Sequence, residues 1–376
     1  DRPLSPLEVR ALTQAVDQLN AQATAEYRAD RRINAYKIWN RELRLRRVLG
    51  PLVETKALGR VGAIAWEDSE TPQLRLITNR LQAIQQQTRT RPLPTRQEQI
   101  LLQRALADAY LKVRSKDRAV GVYEQVITDA RPLKDLVMEG SALATIADLH
   151  LNWFAYPTAA TSYQTLLAFL RQHPKVPVRL IVPVSEAAPP QPTTPDPPLT
   201  DRDVLKKLAF VYDQDKRPAQ AIPVRQELIR LLQQRQEPME IPSLQLAIGI
   251  SHEALQQIPQ AIEAYQQTYY LSQPLQQYGY ASDALKRLGN LYQNQKQFDR
   301  ALQIYEFLLD VEQQAYNFYG RMMTYDQIGQ IYLLQREFDL ALGAFQQGLT
   351  IARQLKYREN YFQSQINQVQ QQRSGK

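Results

Sequence analysis

The chain has 376 residues, a formal net charge of +8, three histidines and no cysteine. Disulfides, thiolate nucleophiles and cysteine-ligated metals are therefore excluded, and the spacing of His150, His173 and His252 fits no zinc-ligand motif. An apolar fraction of 44% supports a packed core, yet no uninterrupted apolar run approaches the roughly 18–20 residues of a membrane-spanning helix.

The chain opens at Asp1 with no methionine and no apolar leader, which leaves open whether a targeting peptide was removed. Ser5-Pro6-Leu7-Glu8 is a capping box with proline at the first helical position, so a helix starts here with Leu7, Leu12, Val16 and Leu19 as its apolar stripe. A second helix is predicted from about Arg31 to Leu49, stopped by Gly50-Pro51, with Ala35 and Trp39 inward. Ala23 precedes Ala35 by twelve residues, and Ala63 follows Ala23 by 40. A helix from about Pro72 to Gln87 then places Arg75 and Asn79 where a small and an aromatic residue are expected, so this unit reads as degenerate. From Arg28 to Arg118 there are 20 Lys and Arg against nine Asp and Glu, so the first third is strongly basic.

The pattern sharpens at Ala107 and Ala147, again 40 apart, followed by Ala119 with Tyr123 and Ala159 with Tyr163. Residues 174–198 then hold nine prolines, through which no helix can run. The apolar stretch from Val176 to Val182 is expected to pack as an extended strand, and the stretch from Glu186 to Asp196 to be mobile. Beyond it a period of 40 is strict. Ala209, Gly249, Gly289 and Gly329 are followed twelve residues on by Ala221, Ala261, Ala301 and Ala341, and four later by Arg225, Tyr265, Tyr305 and Phe345. A register held this long means stacked copies of one supersecondary unit. Phe298-Asp299 and Phe338-Asp339 stand at the turns, where the Asp is expected to cap the second helix. A final polar helix from about Tyr357 to Gln372 reads as a solubilising cap, with residues 373–376 frayed.

No chemistry of a catalytic kind emerges. Gly59-Arg60-Val61-Gly62 lacks the spacing of a phosphate-binding loop and reads as helix packing, no Gly-x-Ser-x-Gly elbow exists, and Glu67-Asp68-Ser69-Glu70 falls between helices as caps and turns. The expectation is a non-enzyme with no cofactor and no metal.

Leu-Gly-x-x-Tyr, with Ala twelve residues after the Gly and an aromatic four further on, resembles the tetratricopeptide repeat. The resemblance implies an all-α, right-handed superhelical solenoid of about eight helical hairpins. It divides the chain into degenerate basic hairpins (1–92), two units (93–173), a proline-rich loop (174–199), four regular units (200–355) and a capping helix with tail (356–376). The usual unit is about 34 residues; a unit of 40 implies longer helices, as in relatives that hold peptide segments along a groove. The Gln-rich composition and the stretches 35–47 and 57–66 are also similar to cyanobacterial members, which implies assembly of a photosynthetic or other membrane complex as a setting.

In this family the second, fifth, ninth and twelfth positions of the first helix line the concave groove. Here they are Asp283, Lys286, Asn290 and Gln293 in the best unit, with Lys206 and Phe210 two units earlier. Lys286 and Asn290 resemble the pair that holds a peptide's terminal carboxylate, but the next unit offers Gln327 where Asn is wanted, and Met323. An internal peptide segment is therefore the expected ligand. The alternative is an anionic partner on the basic helix, through Lys37, Arg41, Arg44 and Arg47: an acidic tail, an anionic membrane surface or, weakest for want of a recognition motif, RNA. Against it stands a plain solvated face neutralised by neighbours such as Glu42. The oligomeric state and the compartment (cytoplasm, periplasm or thylakoid lumen) stay open at this level.

Overall fold

The computed structural model of the protein describes residues 4–181 and 197–375. It divides into two compact units, Asp1–Val204 and Leu205–Lys376. The first holds α1 (Pro6–Arg28), α2 (Arg32–Arg46), α3 (Pro51–Glu67), α4 (Thr71–Thr90), α5 (Arg96–Lys112), α6 (Lys116–Ala130), α7 (Leu136–Asn152) and α8 (Tyr156–Gln172). The boundary crosses α9 (Asp201–Gln214). The second unit continues with α10 (Pro218–Gln234), α11 (Ile241–Ala254), α12 (Ile258–Ser272), α13 (Tyr278–Asn294), α14 (Phe298–Gln314), α15 (Phe318–Leu334), α16 (Phe338–Leu355) and α17 (Glu359–Ser374). All regular structure among the described residues is helical, and in each unit antiparallel hairpins stack on one another, as a solenoid requires.

The local signals act as expected at the N-terminus. The Ser5 backbone N–H donates to Glu8 Oε2 at 2.7 Å, and the Glu8 N–H donates back to Ser5 Oγ. Asp299 and Asp339 do not cap. Gln297 and Glu337 hold the N-cap positions without a side-chain bond to the helix backbone, and each Asp is the second residue of its helix, where it meets the helix dipole instead.

The turns explain the long period. A 17-residue helix and a three-residue turn make a half-unit of 20. Each turn passes through a left-handed residue, and these recur every 20 positions: Lys216, Gln236, Gln256, Gln276, Lys296, Tyr316, Arg336 and Lys356, the last turn adding Arg358. At Lys296 (φ 58°) the next amide, Gln297 N–H, reaches back to Tyr292 C=O at 2.9 Å, which closes the helix end. None of the eight is glycine, although glycine adopts this conformation most easily.

Glycine is used for packing instead. A Cβ built on Gly289 would lie 2.5 Å from the ring of Tyr305, and Gly249 and Gly329 meet Tyr265 and Phe345 in the same way. All three rings are fully buried. The small residue on the first helix thus receives the aromatic of its own hairpin's second helix.

The second hairpin is more regular than its sequence reading. Ala65 is fully buried and Ala63 only half so, and the residues twelve and sixteen beyond Ala65 are Ile77 and Leu81, both fully buried. The inward residues therefore run Ala23, Ala65, Ala107 at equal steps of 42, and Arg75 and Asn79 lie outside. Large apolar side chains occupy the slot that the regular units give to an Ala and an aromatic, which hides the register.

After α8 the chain turns, with Val176 N–H donating to His173 C=O at 3.1 Å, and then runs on outside any helix. Val178 is fully buried, and Leu199 N–H donates to Val178 C=O at 2.8 Å. The described part of the apolar stretch, 176–181, packs on the helices, with backbone bonds to side chains of α7. The expectation for residues 186–196 lies outside the described residues.

Candidate peptide-binding groove

The aromatic sixteen residues after each small residue does more than fill space. Where it is Tyr305, Tyr265 or Tyr163, its hydroxyl reaches polar side chains of the first helix at the candidate groove positions. Tyr305 Oη donates toward Asn290 Oδ1 (2.8 Å) and Gln293 Oε1 (3.1 Å). Tyr265 Oη donates to Glu253 Oε2 (2.5 Å), and Tyr163 Oη to Asp148 Oδ1 (3.4 Å). Arg225 replaces the aromatic in its hairpin and makes the same reach: it is 4% exposed, pairs with Asp213 and donates to Ser251 Oγ at 3.0 Å. Burial pushes the hydroxyls of Tyr305 and Tyr265 far above the usual tyrosine range, and the Glu253 acceptor adds to this for Tyr265. They remain donors at any physiological pH.

On α13 this has a chemical consequence. Asn290 and Gln293 both turn their carbonyl oxygens to one buried hydroxyl, so their NH2 groups face away from it. Asp283, Lys286 and Asn290 are exposed and follow one helix face. Neither Lys286 nor Asp283 forms an ion pair among the described residues. The face therefore presents an ammonium, two oriented amide donors and one carboxylate, a set that suits the carbonyls and amides of an extended peptide.

The remaining candidates are placed differently. Lys206 is exposed but pairs with Glu240 at 2.6 Å, and Phe210 is half exposed on the same helix, four residues on. Gln327 is half-buried on α15, beside Asp326, whose carboxylate accepts from Tyr361 Oη at 2.8 Å. Of the tyrosines near helix starts, Tyr280 and Tyr319 are exposed, whereas Tyr278 and Tyr325 pack into the core. A cleft of about 530 Å³ opens beside Arg225, lined also by Tyr212, Arg217 and Ile250.

In the first unit, Lys37, Arg41 and Arg44 form an exposed stripe on α2 without a carboxylate partner among the described residues. Glu42 does not neutralise them. It is fully buried and held by Arg46 and Arg60, each at 2.6 Å. Arg47 faces elsewhere: it approaches the buried Glu54 at 3.2 Å, which Arg80 also grips through two bonds. Asp68, read from sequence as a turn residue, instead accepts the hydroxyls of Tyr27 (2.9 Å) and Tyr36 (2.8 Å) and pairs with Arg32.

The hydroxyl-to-groove links were missed by sequence reasoning. The available signal was the choice of Tyr or Arg over Phe at a buried slot, since a polar tip on a buried ring needs a partner.

Residues 280–354, which span α13 to α16, match the family model of the tetratricopeptide repeat. No curated protein matches the chain. Among solved structures it is similar to the apo form of RapI, at 8% identity over 96% of this chain and 99% of that one, with a TM-score of 0.40. It is also similar to BtubC (BKLC) from P. vanneervenii, at 16% identity over 67% and 92%, TM-score 0.38. A third is MamA, at 18% identity over 56% and 98%, TM-score 0.37. These scores are low, and nothing about partners follows from them.

Proposed function

We propose that this chain, a tetratricopeptide repeat protein, is a scaffold that binds a protein partner by taking an extended peptide segment across the α13 face. The observation that carries this reading is the arrangement at Tyr305. A buried hydroxyl orients the Asn290 and Gln293 amides outward, next to a Lys286 ammonium with no ion pair. Side chains that are pre-oriented lose less entropy on binding, so polar contacts there contribute more of their strength. The bound segment would run past Asp283, Lys286, Asn290 and Gln293, with Phe210 and Lys206 on α9 available to a longer ligand.

The test is a peptide-array or pulldown ligand measured against three variants. Lys286→Ala and Asn290→Ala should each weaken binding about tenfold, the effect of one charge-assisted or buried hydrogen bond. Tyr305→Phe should weaken it too, although Tyr305 touches no ligand. Unchanged affinity in Lys286→Ala and Asn290→Ala would rule this face out.

The unpaired stripe Lys37, Arg41 and Arg44 favours a second reading, an anionic partner on α2. That interaction should weaken steeply as salt rises, whereas the groove interaction should tolerate salt.

A further inference from the structure

The first helix of the fourth hairpin, α7, is already occupied. On α13 the second and fifth groove positions, Asp283 and Lys286, are exposed. On α7 the matching residues, Ser141 and Ala144, are buried, and Thr145 beside them is buried too. What lies against Ser141 and Thr145 is the chain's own residues 176–181, which leave a tight turn (Val178 N–H to Val176 C=O, 2.9 Å) and run past α7 outside any helix.

The contact follows a rule of geometry. Arg179 N–H donates to Ser141 Oγ at 3.3 Å, and Ile181 N–H donates to Thr145 Oγ1 at 2.9 Å. Two residues of extended chain advance about 6.6 Å, and four residues of helix about 6.0 Å, so alternate amides keep step with hydroxyls one turn apart. The Thr145 hydroxyl gives its proton to Ser141 C=O at 2.7 Å, which leaves its lone pairs for the incoming amide. Between the two bonds and the start of α7, Val178 enters a niche made by a missing side chain. A Cβ on Gly140 would lie 2.6 Å from Val178 and 2.5 Å from the Phe169 ring. Ile181 packs against the core of the first unit beyond.

The structure assigns to α7 a second peptide site, filled in cis by residues 176–181 as a displaceable plug. Its ligand class is an extended segment with a β-branched apolar residue for the Gly140 niche. The residues one and three positions later must keep their amide protons, so neither is proline. This site is separate from the α13 face and stands without it.

The test uses the full chain and a fluorescein-labelled peptide of residues 175–181. Val178→Asp expels the plug and leaves the α7 side chains intact. The expected result is at least tenfold tighter peptide binding to this variant than to wild type. Adding Ser141→Ala and Thr145→Val to it should lose that gain, and Lys286→Ala should leave it unchanged. Equal binding to wild type and Val178→Asp overturns the proposal, as does no binding to a variant of unchanged helix content. Hydrogen exchange on the wild type decides the matter if Val178→Asp unfolds. A plug opens by itself, so the Arg179 and Ile181 amides should exchange at least tenfold faster than those in the middle of α7. Exchange at the same rate as α7 would mark the segment as an inseparable part of the hairpin and overturn the proposal.

Discussion

The two units bury their polar groups by different means. In the first, carboxylates go fully inside and are met by guanidinium groups: Glu42 by Arg46 and Arg60, Glu54 by Arg80 and Arg47. In the second, the buried carboxylates Asp326 and Glu312 are met by neutral hydroxyls, and the buried guanidinium is Arg225, paired with the more exposed Asp213. Asp326 accepts from Tyr361, Glu312 accepts from Ser282 at 2.6 Å, and the groove side chains accept from Tyr265 and Tyr305. The first unit also uses hydroxyls, from Tyr27 and Tyr36, at Asp68. The difference follows from the helix interfaces. Where glycine lets a ring reach across the first helix, a hydroxyl arrives at the groove. Around Glu42 and Glu54, in hairpins whose small residues are alanines, arginines reach in instead. Part of the basic excess of the first third is thus structural, and counting charges overstates what remains for a partner.

The largest effect should come from breaking an ion pair in the first unit. Arg80→Met leaves Glu54 buried with only Arg47, at a cost of about 3 kcal/mol. The double variant Glu54→Leu with Arg80→Met should recover most of it, because an apolar pair needs no counter-charge. Denaturant midpoints measure both, and a single-variant cost under about 1 kcal/mol would remove the contrast between the units. Next comes the glycine device. Gly289→Ala forces the buried Tyr305 ring to move and should cost about 1–3 kcal/mol, visible in the same midpoints.

A smaller effect separates the units by pH. Burial raises the Asp326 carboxyl above its ordinary 3.8, outweighing the Tyr361 hydroxyl and Arg358. The folded chain then keeps a proton that the unfolded chain has lost. Stability from this group is greatest below 3.8, falls as pH rises through the raised folded value and is level beyond it. Asp326→Asn should flatten that decline, read as the difference in Tm between variant and wild type across the acid range. A difference that stays constant with pH would refute the assignment. Smallest is the turn: Lys296→Gly relieves a left-handed residue and should stabilise by about 0.5 kcal/mol, a slight rise in the midpoint.

Much of the hairpin plan was legible because small and aromatic residues recur at fixed offsets. The legible part ended where one physical role had several chemical solutions. Ile77 and Leu81 serve a slot that looks like Ala and Tyr elsewhere, so Ala63 seemed the natural anchor in place of Ala65. Charge alone could not tell the exposed Arg41 and Arg44 from Arg46, which is committed to Glu42 on the same helix. At the candidate groove, Lys286 and Asn290 were named from the family resemblance, and they share one exposed face of α13. The hydroxyl that orients Asn290 comes from a residue fifteen positions away on another helix, and the choice of Tyr over Phe there shows that a partner is needed without showing which. The run at 176–181 was legible as apolar, but its docking on Ser141 and Thr145 depends on a helix nearly 40 residues earlier.

The left-handed residue every 20 positions bears on how such a chain changes length. With two half-units of equal length per hairpin, a duplication or loss of 40 residues returns every turn, ring and glycine to an equivalent place. A change of 20 would exchange first helices for second ones and bring outward faces into the core. The second unit is therefore extended most simply in whole hairpins, with junctions at turns such as Lys296 or Arg336.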